Sequence, residues 1–125
     1  MGTVILGVNS AYHESSVCIL RDGVILGAVE EERFNRIKHA KCSRVDNPDE
    51  LPDQALAWAL SSNGLKAEQI DHIAFSFDPE ERLKMNRDLH EKDIPPGDFG
   101  TPEGEETFHR HLHMAADELK RRFPK

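Results

Sequence analysis

Between two short apolar runs, Val4-Ile5-Leu6-Gly7-Val8 and Val17-Cys18-Ile19-Leu20-Arg21, the chain carries Asn9-Ser10-Ala11-Tyr12-His13-Glu14-Ser15-Ser16. That connection is longer than a chain reversal needs, and it is dense in side chains that hydrogen-bond. His13 has the chemistry of a general base, because an imidazole titrates near neutrality. Asn9, Ser10, Ser15 and Ser16 surround it with donors, and donors at the ends of buried strands can hold an anion or a developing oxyanion. The plain alternative for His13 is a loop histidine bonded to backbone carbonyls. A second group lies in the charged run Glu30 to His39, where Arg36, Lys38 and His39 are close neighbours. An arginine fork and a lysine point charge suit phosphate oxygens, although most charge runs are solvated faces. The third group is His109 and His113, one helical turn apart, a spacing at which two imidazoles can reach one ion. Solvent-facing histidines beside an apolar stripe are the alternative there.

The elements that must position these groups follow from local pattern. The first apolar run suits a strand buried on both faces. Asp22-Gly23 after the second supplies the positive backbone dihedrals of a two-residue hairpin turn, so Val24 to Val29 returns as a third strand. Phe34 and Ile37 could anchor one helical turn, with Glu31 and Glu32 pairing with Arg33 and Arg36 at helical spacing. Asn47-Pro48 marks a turn. Pro52 to about Ser62 reads as a helix with the proline in its first turn, an apolar face of Ala55, Leu56, Ala59 and Leu60, and Trp58 packed at its flank. Gly64 stops it. His72 to Phe77 reads as a strand. Glu80 to about Leu89 suits a helix, the Ile94 to Pro102 stretch does not, and about Glu103 to Phe123 is an amphipathic helix with Phe108, Leu112, Ala115 and Leu119 on one stripe. The expected division is a core at 1–77, a flexible connection at 78–102 and the helix at 103–125. Pattern alone supports only α/β.

The remaining residues set bounds. A formal net charge of −7 with 31% charged residues disfavours a nucleic-acid surface. No apolar run approaches the roughly 20 residues of a membrane span, and no basic leader precedes the first strand, so a cytoplasmic protein is expected. Cys18 reads as a small buried hydrophobe, and with Cys42 makes neither a disulfide framework nor metal-ligand spacing. His72 and His90 attract no role. Gly23, Gly64, Gly97, Gly100 and Gly104 all read as turn or loop glycines.

The run GVNSAYHESSVCIL followed by DGVILGAVEEERFNRIKH closely resembles the start of the carbamoyltransferase family that includes nodulation-factor and antibiotic-tailoring O-carbamoyltransferases. Two distinctive motifs stand in order: G-[IV]-N-x-x-[YH]-H-[DE]-[SA]-S, and E-E-R-[FL]-x-R-x-K-H after the hairpin. The resemblance implies a ribonuclease-H-like fold of the actin, sugar kinase and heat-shock ATPase type, a mixed sheet opened by a β-hairpin and here incomplete. It implies an enzyme that uses ATP and carbamoyl phosphate to make a carbamoyl-adenylate in a YrdC-like domain, then transfers the carbamoyl group to the hydroxyl of a small-molecule acceptor. His13 becomes the catalytic base; Asn9, Ser10, Ser15, Ser16, Arg36, Lys38 and His39 become substrate-binding residues. An iron-type divalent metal is implied too, held by an H-H-x-x-H-A-x-S-A run that follows a strand. Because no strand leads into His109 and no small-residue tail follows His113, the ligands are expected beyond Lys125 rather than at this pair. Family members are several times longer, so these 125 residues read as an N-terminal fragment, inactive alone, with open strand edges that favour a homodimer. The alternative is a non-catalytic binding or regulatory remnant of the same fold.

Overall fold

A computed structural model describes residues 2–86 and 94–124. Four strands form one sheet in the order β3-β2-β1-β4, with β1 at Val4–Asn9, β2 at Ser16–Arg21, β3 at Val24–Glu30 and β4 at His72–Phe75. The first three are an antiparallel meander, and β4 lies parallel to β1 with Leu6 opposite Ile73. The turn into β3 has φ of 50° at Asp22 and 82° at Gly23, the geometry that Asp-Gly favours. A register shift at Ile19/Leu20 pairs Ile19 with Gly27 but Leu20 with Ile25, leaving Leu26 as the extra residue of a bulge.

Among the described residues there are four α-helices, α1 at Glu32–Asn35, α2 at Asp53–Ser62, α3 at Pro79–Asn86 and α4 at Pro102–Arg122, and a short 3-10 turn at Ala67–Gln69. The main core lies on one face of the sheet. Val4, Leu6, Val8, Val17 and Ile19 pack there against Ala55, Leu56 and Ala59 of α2, with Ile70, Leu119 and Phe123 closing the layer. A second cluster surrounds Phe108. Tyr12 stacks on that ring at 5.3 Å, while Phe99 meets it edge-on at 5.1 Å. The stripe Phe108, Leu112, Ala115, Leu119 is buried along its length, so α4 joins the two clusters. Thr101 caps α4 by accepting from Gly104 N at 3.0 Å, and Pro102 opens its first turn where no amide partner is required. No helix among the described residues is long and apolar enough to cross a membrane.

Several expectations are corrected. Strands β1 and β2 are buried on one face only, because their pleat turns Gly7, Asn9, Ser16, Cys18 and Leu20 toward a side that no helix of the described residues covers. Cys18 is therefore half-buried on that open face and not a core residue. Trp58 is exposed at the flank of α2, its ring lying over Gly27. Ile37 is exposed because Arg36, at φ 60°, ends α1 before a second apolar contact can form; Phe34 packs alone. Pro52 is the capping residue of α2, one position before the first turn. Gly104 belongs to the first turn of α4 and not to a loop, and a side chain is excluded there because a Cβ would lie 1.9 Å from the Asp98 carbonyl oxygen. The 78–102 connection contains α3, packed beside α4; its expected continuation to Leu89, like His90, lies outside the described residues.

Candidate functional site

The loop between β1 and β2 sits at one end of the central strand pair, and Asn9 shapes it. Its Nδ2 donates to the carbonyls of His13 at 3.2 Å and Glu14 at 3.1 Å, while its Oδ1 accepts from Ser76 Oγ at 2.6 Å, just past β4. Lys41 anchors the loop from the other side: its ammonium donates to the carbonyls of Ser10 at 2.7 Å, Glu50 at 3.3 Å, and Asn47. Burial pushes the Lys41 ammonium down to about 8, with Glu50 and Asp49 pulling the other way.

The segment after α1 returns to this loop. Glu14 N donates to the His39 carbonyl at 2.8 Å, and both residues hold left-handed backbone, with φ of 61° and 64°. Non-glycine residues in that region cost on the order of 1 kcal/mol each, so the surrounding contacts must over-determine them. The result is a three-residue cluster. The rings of His13 and His39 lie 5.0 Å apart; His39 Nδ1 is hydrogen-bonded to Glu14 Oε1, and His13 Nδ1 is 3.8 Å from that same oxygen. All three side chains are about half exposed. The hydrogen bond orients the His39 ring, the His13 ring stands beside the same carboxylate without a hydrogen bond to it, and both rings stay open to solvent.

Arg36 lies in a shallow depression of about 470 Å³ shared with Glu30, Glu32 and Arg33, and Glu32 Oε1 accepts from the His39 amide at 3.0 Å. Lys38 is exposed. Arg33 and Glu30 also border a wider depression of about 540 Å³ on the open sheet face, where Asn9, Ser16, Cys18 and Ser76 meet. The loop thus presents the imidazole pair, while the open sheet face presents a largely apolar depression edged by Asn9, Ser16, Glu30, Arg33 and Ser76. Ser10 and Ser15 do not project into either. Ser10 Oγ donates to the Pro48 carbonyl at 2.6 Å in full burial, and Ser15, 2% exposed, has its hydroxyl sealed inside; as presented donors they are corrected, because both hydroxyls are buried at the ends of the loop.

Three further features escaped local pattern. Lys41 stands in a polar stretch, yet its ammonium reaches the Ser10 carbonyl 31 residues back. Glu31, read as a partner for nearby arginines, instead caps α2. On α4, His111 Nδ1 lies 2.7 Å from Asp49 Oδ1, fastening the helix to the 41–50 loop. None carries a signal in its neighbours, since the decisive contacts run from Lys41 to Ser10, from Glu31 to α2 and from His111 to Asp49. His109 and His113 both lie against Glu80 Oε1, through Nε2, at 2.9 and 2.7 Å, away from the imidazole pair of the loop.

A hairpin-opened sheet with a parallel fourth strand, packed against helices on one face, defines an α/β domain with a mixed four-stranded sheet. The family profile described as Carbamoyltransferase N-terminus matches residues 4–112, and the chain belongs to that family. Among curated proteins it is 37% identical over 73 residues to an uncharacterized protein of Synechocystis sp., covering 58% of this chain and 11% of the relative. It is 36% identical over 67 residues to the nodulation protein NolNO of Sinorhizobium fredii, covering 54% of this chain and 9% of that protein. An uncharacterized 19.2 kDa protein of Rhizobium etli is 39% identical over 67 residues, 54% of this chain and 34% of its own. The chain therefore spans between about a tenth and a third of the length of these relatives.

Proposed function

We propose that this chain is the N-terminal portion of an O-carbamoyltransferase that moves a carbamoyl group from carbamoyl phosphate, by way of an ATP-derived carbamoyl-adenylate, to a hydroxyl of a small-molecule acceptor. Family membership supports the class of reaction. The single observation that carries the residue assignment is the meeting of His13 and His39 across Glu14, which joins the two sequence motifs at one sheet end.

In the transfer step the acceptor oxygen bonds to the carbamoyl carbon, His13 takes the hydroxyl proton, and the bond from that carbon to the adenylate phosphate oxygen breaks to release AMP. Asn9 and Ser16 border the depression on the open sheet face, and Asn9 holds the loop that carries the base through the His13 carbonyl. Arg36, Lys38 and His39 supply positive charge or donors for phosphate oxygens. Ser10 and Ser15 act by shaping the loop. The adenylate itself is assigned to a YrdC-like domain elsewhere in the whole protein, and the chain on its own is assigned no turnover. The family's metal-holding run has no counterpart in this sequence, so no step here is routed through the iron-type metal. The strand order, with β1 and β4 parallel, supports a ribonuclease-H-like unit, and the edges at β3 and β4 support association through strand pairing in a homodimer.

The test uses the full-length protein. His13→Asn should slow carbamoyl transfer about 10²–10⁴-fold while adenylate formation continues. Transfer at an undiminished rate would remove His13 from the mechanism.

A further inference from the structure

Helix α3 is eight residues long and polar, PEERLKMN, too short to persist in isolation. Its hold on the molecule is a set of polar contacts. Asp78 Oδ1 accepts from the amides of Glu80 at 3.0 Å and Glu81 at 3.2 Å, which fixes the first turn and with it the position of the Glu80 carboxylate. That carboxylate faces α4, where His109 and His113 occupy successive turns of a 21-residue helix. Both Nε2 atoms converge on the same oxygen, at 2.9 and 2.7 Å, with the two rings 4.7 Å apart and 78° from coplanar. The three ligand atoms lie within 4.8 Å of one another.

From this convergence we propose that Glu80, His109 and His113 form a binding site for a zinc-class divalent cation that fastens α3 to α4. Zinc takes imidazole nitrogen at about 2.0–2.1 Å and carboxylate oxygen at about 2.0–2.2 Å, so tetrahedral ligand atoms stand roughly 3.3 Å apart. Opening each N–O contact by about half an ångström makes room for the ion at the centre, a movement within the reach of the exposed Glu80 side chain. Imidazole and carboxylate together suit Zn²⁺ better than the hard ions Mg²⁺ or Ca²⁺, which prefer all-oxygen sites. The fourth position faces solvent and takes water. The site is separate from the loop cluster of His13, Glu14 and His39, and it does not depend on the carbamoyl-transfer reading.

Calorimetric titration of the whole chain with zinc chloride tests it, in wild type, Glu80→Gln, the double variant His109→Ala/His113→Ala, and the double variant His13→Ala/His39→Ala. The last controls for the other histidine cluster. Wild type should bind one ion at this site, with a higher melting temperature when zinc is present. The His109/His113 variant should lose the site. Glu80→Gln should weaken it at least tenfold, since even the hydrogen-bonding partners of ligands are worth about 10–100-fold. The His13/His39 variant should keep it. His113→Gln alone, at a half-exposed position, serves if the double variant does not fold; Co²⁺ should then lose its tetrahedral visible absorption. Zinc binding that survives in His109→Ala/His113→Ala or His113→Gln, is absent from wild type, or disappears only in the His13/His39 variant overturns the proposal. Unchanged affinity in Glu80→Gln would do the same for the link between helices.

Discussion

Glu31 Oε1 accepts a hydrogen bond from the Ala55 amide at 2.7 Å, and its other oxygen receives the Gln54 amide at 3.3 Å. A carboxylate at the end of the hairpin layer, 7% exposed, thus satisfies the open N-terminus of α2 and faces its positive dipole end. Glu31→Ala strands those amides and should cost about 1.5–3 kcal/mol, the range for hydrogen bonds to charged groups. Urea unfolding should show a lower midpoint at an unchanged slope; a loss under about 0.5 kcal/mol would mean water replaces the carboxylate freely.

Arg82 and Glu105 tie α3 to the start of α4. Glu105 is 4% exposed and accepts from Arg82 Nε at 2.9 Å, Arg82 Nη2 at 3.2 Å and the Gly100 amide at 3.0 Å. Arg82 also covers the faces of Tyr12 and Phe108, 5.6 and 5.5 Å from the ring centres. Arg82→Ala should therefore destabilise by roughly 3 kcal/mol, the low end of the range for breaking a buried pair because the guanidinium is partly exposed. Replacing both residues, Arg82→Met with Glu105→Leu, should cost much less. A double-mutant cycle in which the two single changes simply add would refute the coupling.

Arg121 and Arg122 hydrogen-bond to Glu118 and hold its carboxyl down to about 2, against an ordinary 4.5. A depressed carboxylate contributes stability that is present in full above its unfolded value and is lost as pH falls through the folded one. The melting-temperature gap between wild type and Glu118→Gln should thus be constant above about pH 5, shrink between 4.5 and about 2, and vanish below. Because the pair is exposed, the gap should be small and should shrink in high salt. A gap that widens on acidification would contradict the assignment.

Some of this architecture was readable along the chain. Asp22-Gly23 announces the hairpin because positive dihedrals are a property of two adjacent residues. The α4 stripe is equally local: Phe108, Leu112, Ala115 and Leu119 recur with the helical period whatever they pack against. The side of the sheet that stays open was hidden. Cys18 and Leu20 are as apolar as Val17 and Ile19, so residue type could not tell which alternate set meets α2. Ser10 and Ser15 misled for a similar reason, since a hydroxyl's type does not reveal that it is buried at the end of the loop. Local pattern does not reveal Glu31, Lys41 and His111 as long-range clasps, because Glu31 reaches Ala55, Lys41 reaches Ser10 and His111 reaches Asp49 across 24, 31 and 62 residues.

By itself, then, the order of residues determined the strands, the hairpin turn, the long amphipathic helix and the family, all of which depend on neighbours a few positions apart or on short motifs. Only the folded chain decided that His39 returns to His13 across Glu14, that Glu31 closes a helix it does not belong to, and that Glu80 faces two histidines of α4. Those are contacts across loops, and their geometry is set by the packing of the sheet against α2 and α4 rather than by any local preference of the residues that meet.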